Sequence, residues 1–219
     1  RLCGGADLQG LIGALDGFDG SDTVEYADMP ALEKWVLHRL SEITAEHEGW
    51  VRNHDHKKIF STLFNFCTVD LSAFYFDIRK DALYCDPLDS TRRRACRTVM
   101  NEIFQRLTTW LAPIMSFTME EVWQARHPSE DGSVHLELFR SCPDEWKNED
   151  LASHIQAVRD FRVKAQEAIE PLRREGVIKS SLDASVKAAE AGLSGPMKAL
   201  GVTDDNTYEN PSDPQDCLA

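Results

Sequence analysis

The run Asn65-Phe66-Cys67-Thr68-Val69-Asp70-Leu71-Ser72-Ala73-Phe74-Tyr75-Phe76-Asp77-Ile78-Arg79-Lys80-Asp81-Ala82-Leu83-Tyr84-Cys85-Asp86 constrains this chain more than any other. Wound at 3.6 residues per turn, it is apolar almost all round. Such a helix needs neighbours on most of its faces, which puts it at the centre of a helical bundle. The periodicity predicts a helix over about 56–81, with Phe60, Leu63, Phe64, Cys67, Leu71, Phe74 and Ile78 as a wide core face. The opposite face carries Lys58, Asn65, Ser72, Phe76 and Arg79. An aromatic ring among amides and cations can stack on a splayed base. The plainer reading is that Phe76 packs beneath a neighbouring helix, and the pattern leaves both open.

The other elements are read around that helix. One is predicted over about 30–52, with Pro30 suited to its first turn and an apolar stripe of Leu32, Trp35, Val36, Ile43, His47 and Trp50. Arg39 lies inside that stripe, either snorkelling to solvent or paired with Asp70 or Asp77. The loop Cys85-Asp86-Pro87-Leu88-Asp89-Ser90 ends the central helix, and Asp89 or Ser90 can cap the next, at about 91–111. That helix buries Cys96, Met100, Ile103, Leu107 and Leu111, and Pro113 ends or kinks it. Thr118-Met119-Glu120-Glu121 reads as a capping box for a shorter helix ending near Arg126. Residues 127–147 read as irregular, with a short strand at Val134–Leu138. A long helix follows at about 148–175 with Gly176 as its C-cap, and Ala184–Ala188 reads as a strand.

The expected fold is therefore all-α, an antiparallel bundle with a small α+β C-terminal appendage. Residues 1–29 form a Gly- and Asp-rich lead-in, in which Leu11–Leu15 end a helix and Asp16-Gly17-Phe18-Asp19-Gly20 turn. Residues 30–147 form the bundle, and 148–192 the long helix and the start of a junction subdomain. Residues 193–219 form a polar, weakly ordered tail. No internal repeat is visible.

Charge narrows the function. The formal net charge of −13 over 219 residues counts against a general nucleic-acid binder, because phosphate contacts need Lys and Arg. A local basic face on an acidic domain stays open, provided its footprint is narrow. No run of about 18 apolar residues suggests a membrane span, and no secretory signal pattern is visible. The abrupt start at Arg1, without Met, reads as a piece of something longer. None of the six cysteines forms a Cys-x-x-Cys pair, which argues against a zinc ribbon and fits a reducing cytoplasm.

No catalytic constellation stands out: G-x-x-x-x-G-K-[ST], G-x-S-x-G and H-E-x-x-H are all absent. His54-Asp55-His56 reads as a capping turn rather than a metal site. Glu120-Glu121 suits a helix N-terminus and its dipole better than acid–base work. Binding signals are stronger. Arg92, Arg93, Arg94 and Arg97 make the densest basic cluster, and the helical wheel turns Arg94 and Arg97 to solvent, where they either stay solvated or meet phosphate. Lys57 and Lys58 make a second cluster. Arg159, Arg162 and Lys164 make a third, and Arg173, Arg174 and Lys179 a fourth.

The central run also resembles N-F-x-x-V-D-L-S-x-F-Y-x-D-x-x-K-D-x-L-Y, a pattern of the anticodon-binding domain of bacterial isoleucyl-tRNA synthetases. Met29-Pro30-Ala31-Leu32-Glu33-Lys34-Trp35-Val36-Leu37-His38-Arg39-Leu40 looks like that domain's first bundle helix. Trp110-Leu111-Ala112-Pro113-Ile114-Met115-Ser116-Phe117-Thr118-Met119-Glu120-Glu121-Val122-Trp123 is similar to L-A-P-I-L-x-F-T-A-E-E-V-W. Val177-Ile178-Lys179-Ser180-Ser181-Leu182-Asp183-Ala184-Ser185-Val186 resembles I-G-x-S-L-E-A-x-V. The blocks run in order from about residue 11 to 188. Departures are the H-I-G-H-like and K-M-S-K-S-like motifs and the Cys-rich zinc segment, all absent, and residues 1–10 and 189–219, which stray from the pattern.

The resemblance implies a parent enzyme that attaches isoleucine to its tRNA with ATP and Mg²⁺. This stretch would be the non-catalytic tRNA-reading part, holding no metal or cofactor itself. The implied setting is a cytoplasmic monomer away from membranes. Wheel position and charge then assign phosphate contacts to Lys57, Lys58, Arg94 and Arg97, with Asn65 and Arg79 near bases. Two alternatives stand beside it: the same domain of a valyl or leucyl relative, and a helical protein-interaction module with no RNA role.

Overall fold

The computed structural model describes residues 15–177 and Gly13. The chain divides at residue 147 into two compact units. Residues 15–147 of the first hold four helices among the described residues: α1 (Ala31–Arg52), α2 (His56–Cys85), α3 (Thr91–Leu111) and α4 (Ser116–Arg126). The described part of the second is α5 (Glu149–Arg174) and its two ends.

Helix α1 starts directly after Pro30, whose missing N–H costs nothing there. Trp35, Val36, Ile43 and His47 are buried as the stripe predicts, and the Trp35 ring meets Phe74 of α2 edge-on at 5.3 Å. Leu32 and Trp50 are only half-buried, while Glu33 and His38 lie in the core. Arg39 takes the ion-paired alternative: its Nε donates to Asp70 Oδ2 at 3.2 Å and its other arm to Glu42.

Helix α2 is continuous, but Phe66–Phe76 is wound as a π-helix between α-helical ends His56–Asn65 and Asp77–Cys85. Its i→i+5 pairing widens the turn, and the buried face shifts accordingly. Ile59, Leu63, Cys67, Leu71 and Tyr75 are buried at strict steps of four, with Phe66, Asp70 and Phe74 beside them. An α-helix drifts off a step of four because its turn holds 3.6 residues. The expected core residues Phe60, Phe64 and Ile78 are instead 39%, 42% and 41% exposed. By length and mean hydropathy α2 alone among the described residues could cross a membrane. Here it is the spine of a bundle, with Asp70 and Arg79 spent on partners from α1.

Helix α3 has the expected bounds and buries all five expected residues. Ser90 precedes it without capping it; its hydroxyl donates to Asp86 Oδ2 at 3.2 Å. Arg106 is also buried. Its guanidinium donates to Glu102 and to the Ser141 carbonyl at 2.8 Å, and lies 4.8 Å from the Trp146 ring centre.

The capping box at Thr118 does not form, because α4 begins two residues earlier at Ser116. Glu120 turns to the chain that follows, accepting from Ser133 Oγ at 2.7 Å and Val134 N–H at 3.0 Å. Those bonds hold its carboxyl below the ordinary range, with the Gln124 amide the largest cause. They also replace the strand expected at Val134–Leu138 with one 3₁₀ turn, Val134–Leu136.

In the second unit, Asn148 caps α5 by accepting from Leu151 N–H at 3.0 Å. Gly176, at φ +73°, closes it as predicted. Val177 N–H reaches Leu172 O at 3.0 Å and Gly176 N–H reaches Arg173 O at 3.1 Å, the paired bonds of a Schellman end. The Ala184–Ala188 strand, the polar tail and residues 1–12 and 14 of the lead-in lie outside the described residues.

Candidate functional site

The residues expected to contact RNA separate into two groups. Arg79 belongs to the interior, which corrects its expected place near bases. Its side chain is 12% exposed, and its Nε and Nη2 donate to the two oxygens of fully buried Glu33, each at 2.6 Å. Tyr75 Oη donates to the same carboxylate at 3.2 Å and lies 3.3 Å from Cys96 Sγ. Burial raises the Tyr75 phenol well above its ordinary value and pushes the Cys96 thiol up to about 12. The four groups join α1, α2 and α3. A bidentate guanidinium–carboxylate pair is among the stronger hydrogen-bonded contacts available, and it is spent here on assembling the bundle.

Arg94 and Arg97 also depart from expectation. Both are half-buried rather than turned to solvent, because residues 15–24 pack across their face of α3. Arg94 Nε donates to Asp22 O at 3.3 Å. Arg97 Nη2 donates to Asp16 O at 2.8 Å, with its guanidinium 5.3 Å from the Phe18 ring centre. Arg126 of α4 adds bonds to Leu15 O and Phe18 O at 3.0 and 2.7 Å. Arg92 grips Asp86, its Nε donating at 2.7 Å, and that bond leads in holding the Asp86 carboxyl below its ordinary value. Arg93 donates to the Asp86 carbonyl at 2.7 Å. The basic cluster is thus largely occupied within the molecule.

Lys57, Lys58 and Asn65 form the second group, all exposed on the first three turns of α2. Asp55 caps the helix by accepting from Lys58 N–H at 3.0 Å, as the capping reading of His54-Asp55-His56 expects. The Lys58 ammonium lies 5.9 Å from the Trp50 ring centre. Lys57 and the Asn65 side chain make no hydrogen bond or ion pair among the described residues. Phe60 and Phe64 stand between them, their rings nearly parallel at 13° with centres 6.0 Å apart. The stretch 56–69 holds two lysines, one histidine and no carboxylate. Phe76 is half-buried, its ring 5.6 Å from that of Tyr75, its neighbour on the same helix, and both readings of it stay open.

The sequence pointed to the lysines by charge and to Asn65 by face. It missed the two rings, which the α-helical period assigned to the core. Their signal was local all the same: Lys57, Phe60, Phe64 and Thr68 follow the i, i+3, i+4 spacing of one exposed stripe. Among the described residues no three His, Cys, Asp or Glu side chains gather as a metal ion requires.

Comparison with known proteins matches residues 33–188 to a family described as the anticodon-binding domain of tRNA ligase. An isoleucine–tRNA ligase of Gluconobacter oxydans is 46% identical over 192 residues, 86% of this chain and 20% of that protein. One from Ruegeria pomeroyi is 51% identical over 176 residues, covering 80% of this chain and 18% of that protein. One from Bartonella henselae is 46% identical over 178 residues, 81% and 18% of the two. The chain thus spans about a fifth of the length of these relatives. The matched span runs from the buried carboxylate of α1 through α5 and beyond, and the chain belongs to the family of tRNA-ligase anticodon-binding domains.

Proposed function

We propose that this chain binds the anticodon stem and loop of the isoleucine-acceptor tRNA, as the tRNA-reading part of an isoleucine–tRNA ligase of the bacterial cytoplasm. Attachment of isoleucine, with its ATP and Mg²⁺, belongs in this reading to the four-fifths of the relatives that the chain does not match. The observation that carries it is the cationic stretch 56–69 on an otherwise acidic chain, standing on a member of this family. The names of the three relatives favour the isoleucine tRNA over the valine and leucine ones.

Lys57 and Lys58 supply the phosphate contacts, and Asn65 offers both a donor and an acceptor to a base edge. Arg94 and Arg97 keep unused N–H groups and contribute to a neighbouring phosphate while holding the lead-in segment. Arg79 acts by keeping α1 and α2 in register rather than by touching bases. Binding of the 219-residue chain to isoleucine tRNA and valine tRNA, at low and moderate salt, tests this. Salt-sensitive binding that prefers the isoleucine tRNA is the expected result. No binding to either, with the helical content intact, overturns it.

A further inference from the structure

Two phenylalanines side by side on a helix exterior, bordered by lysine and amide side chains, are out of place on a merely solvated surface. Phe60 and Phe64 are 39% and 42% exposed and lie nearly parallel. Lys57 sits one turn before Phe60, and Asn65 and Thr68 flank the far end of the pair. At 1.5 Å per residue, Lys57 to Thr68 spans roughly 16 Å of helix. The nearest acids along the chain are Asp55, tied to the helix N-terminus, and Asp70, buried and bonded to Arg39. An aromatic face with cations beside it and no carboxylate matches an unpaired nucleotide, whose base is a flat π-surface and whose phosphates are anionic.

We propose that the Phe60–Phe64 pair is a stacking platform for one unpaired base of the tRNA anticodon loop, with the flanking phosphate held by Lys57. This rests on the tRNA-binding reading above and adds to it the surface and the mode of contact. Stacking on a ring tolerates any base, so the platform supplies affinity and splays the loop, while Asn65 is placed to read an edge. The partner is taken as RNA rather than protein because the border is cationic on a chain of net charge −13. An apolar protein segment would gain nothing from that border.

The test uses the anticodon stem–loop of isoleucine tRNA carrying 2-aminopurine at successive loop positions. It is titrated with the 219-residue chain and with its Phe60→Leu/Phe64→Leu and Phe60→Trp/Phe64→Trp variants. Both rings are on the surface, so thermal melting is expected to match wild type. One probe position should be quenched on binding. The Leu pair should lose that quenching and weaken binding on the order of five- to a hundredfold, and the Trp pair should retain both. If wild type binds but the Leu pair binds equally well with the same quenching, the face serves apolar packing against protein and the platform is overturned, while the tRNA-binding reading survives. If wild type binds neither the stem–loop nor the intact tRNA, both readings fall together.

Discussion

Glu33 and Arg79 are dispensable to each other only if both are removed. A single loss leaves a charge in the core, and uncompensated buried charges cost far more than an intact pair contributes. Glu33→Ala should destabilise the chain by about 3–5 kcal/mol, and a Glu33→Met/Arg79→Met double change should recover a large part of that, both read by urea denaturation. Cys96 shares this interior. With its thiol pushed up to about 12 and buried, it should resist alkylation at pH 8 until the chain unfolds, whereas exposed Cys85 should react at once, as peptide mass mapping can check. His47 gives the pH dependence. Its ring lies tilted 5.2 Å from Trp110 and edge-on 4.9 Å from Phe139, its Nε2 has no hydrogen-bond partner among the described residues, and burial holds its pKa below 6.5. Burial likewise lowers His127. Well above pH 6.5 both are neutral, folded or not, and nothing is lost. Below it the unfolded chain takes up protons first, so stability falls until the folded rings protonate too. His47→Phe should flatten the melting temperature between pH 6.5 and 5 relative to wild type.

Elements were legible where their signals are local. The bounds of α3, the Gly176 C-cap and the loop at Cys85–Ser90 follow from residues within a few positions of the event. The failures came elsewhere. The box at Thr118 yielded because α4 starts at Ser116, which leaves Thr118 inside the helix, and the strand at Val134 yielded because Glu120 claims Ser133 and Val134 N–H, 13 and 14 residues on. The face of α2 differs because Ile59 and Leu63, rather than Phe60 and Phe64, turn inward in its α-helical start, and because Phe66–Phe76 is wound as a π-helix, which no α-period can anticipate. The start of α2 offers a test of its own. Asp55→Asn keeps a side-chain oxygen for Lys58 N–H, so thermal stability should be unchanged. Removing that charge beside Lys57 and Lys58 should tighten stem–loop binding about twofold at low salt, and the gain should vanish as salt screens it.

For the whole molecule, an all-α bundle could be derived from one apolar helix and its neighbours, but the site was only partly readable. Charge pointed to Lys57 and Lys58. It pointed equally to Arg79, Arg94 and Arg97, whose partners lie 46, 72 and 81 residues away and so leave no trace in a local pattern. With few cations to spare, the RNA footprint should be small. A plot of log affinity against log salt should have a slope of roughly −2 to −3, and Lys57→Ala/Lys58→Ala should roughly halve it, leaving the share of Arg94 and Arg97. One earlier feature carries a further consequence. The hydrogen bonds from Arg94, Arg97 and Arg126 to residues 15–22 all go to main-chain carbonyls, four of them, and none to a side-chain acceptor. A carbonyl is the same whatever residue bears it. Substitutions at Asp16 and Asp22 should therefore be tolerated freely in a library of variants, while the three arginines that read their backbone should not. The path of that segment is encoded 72 to 111 positions downstream of it.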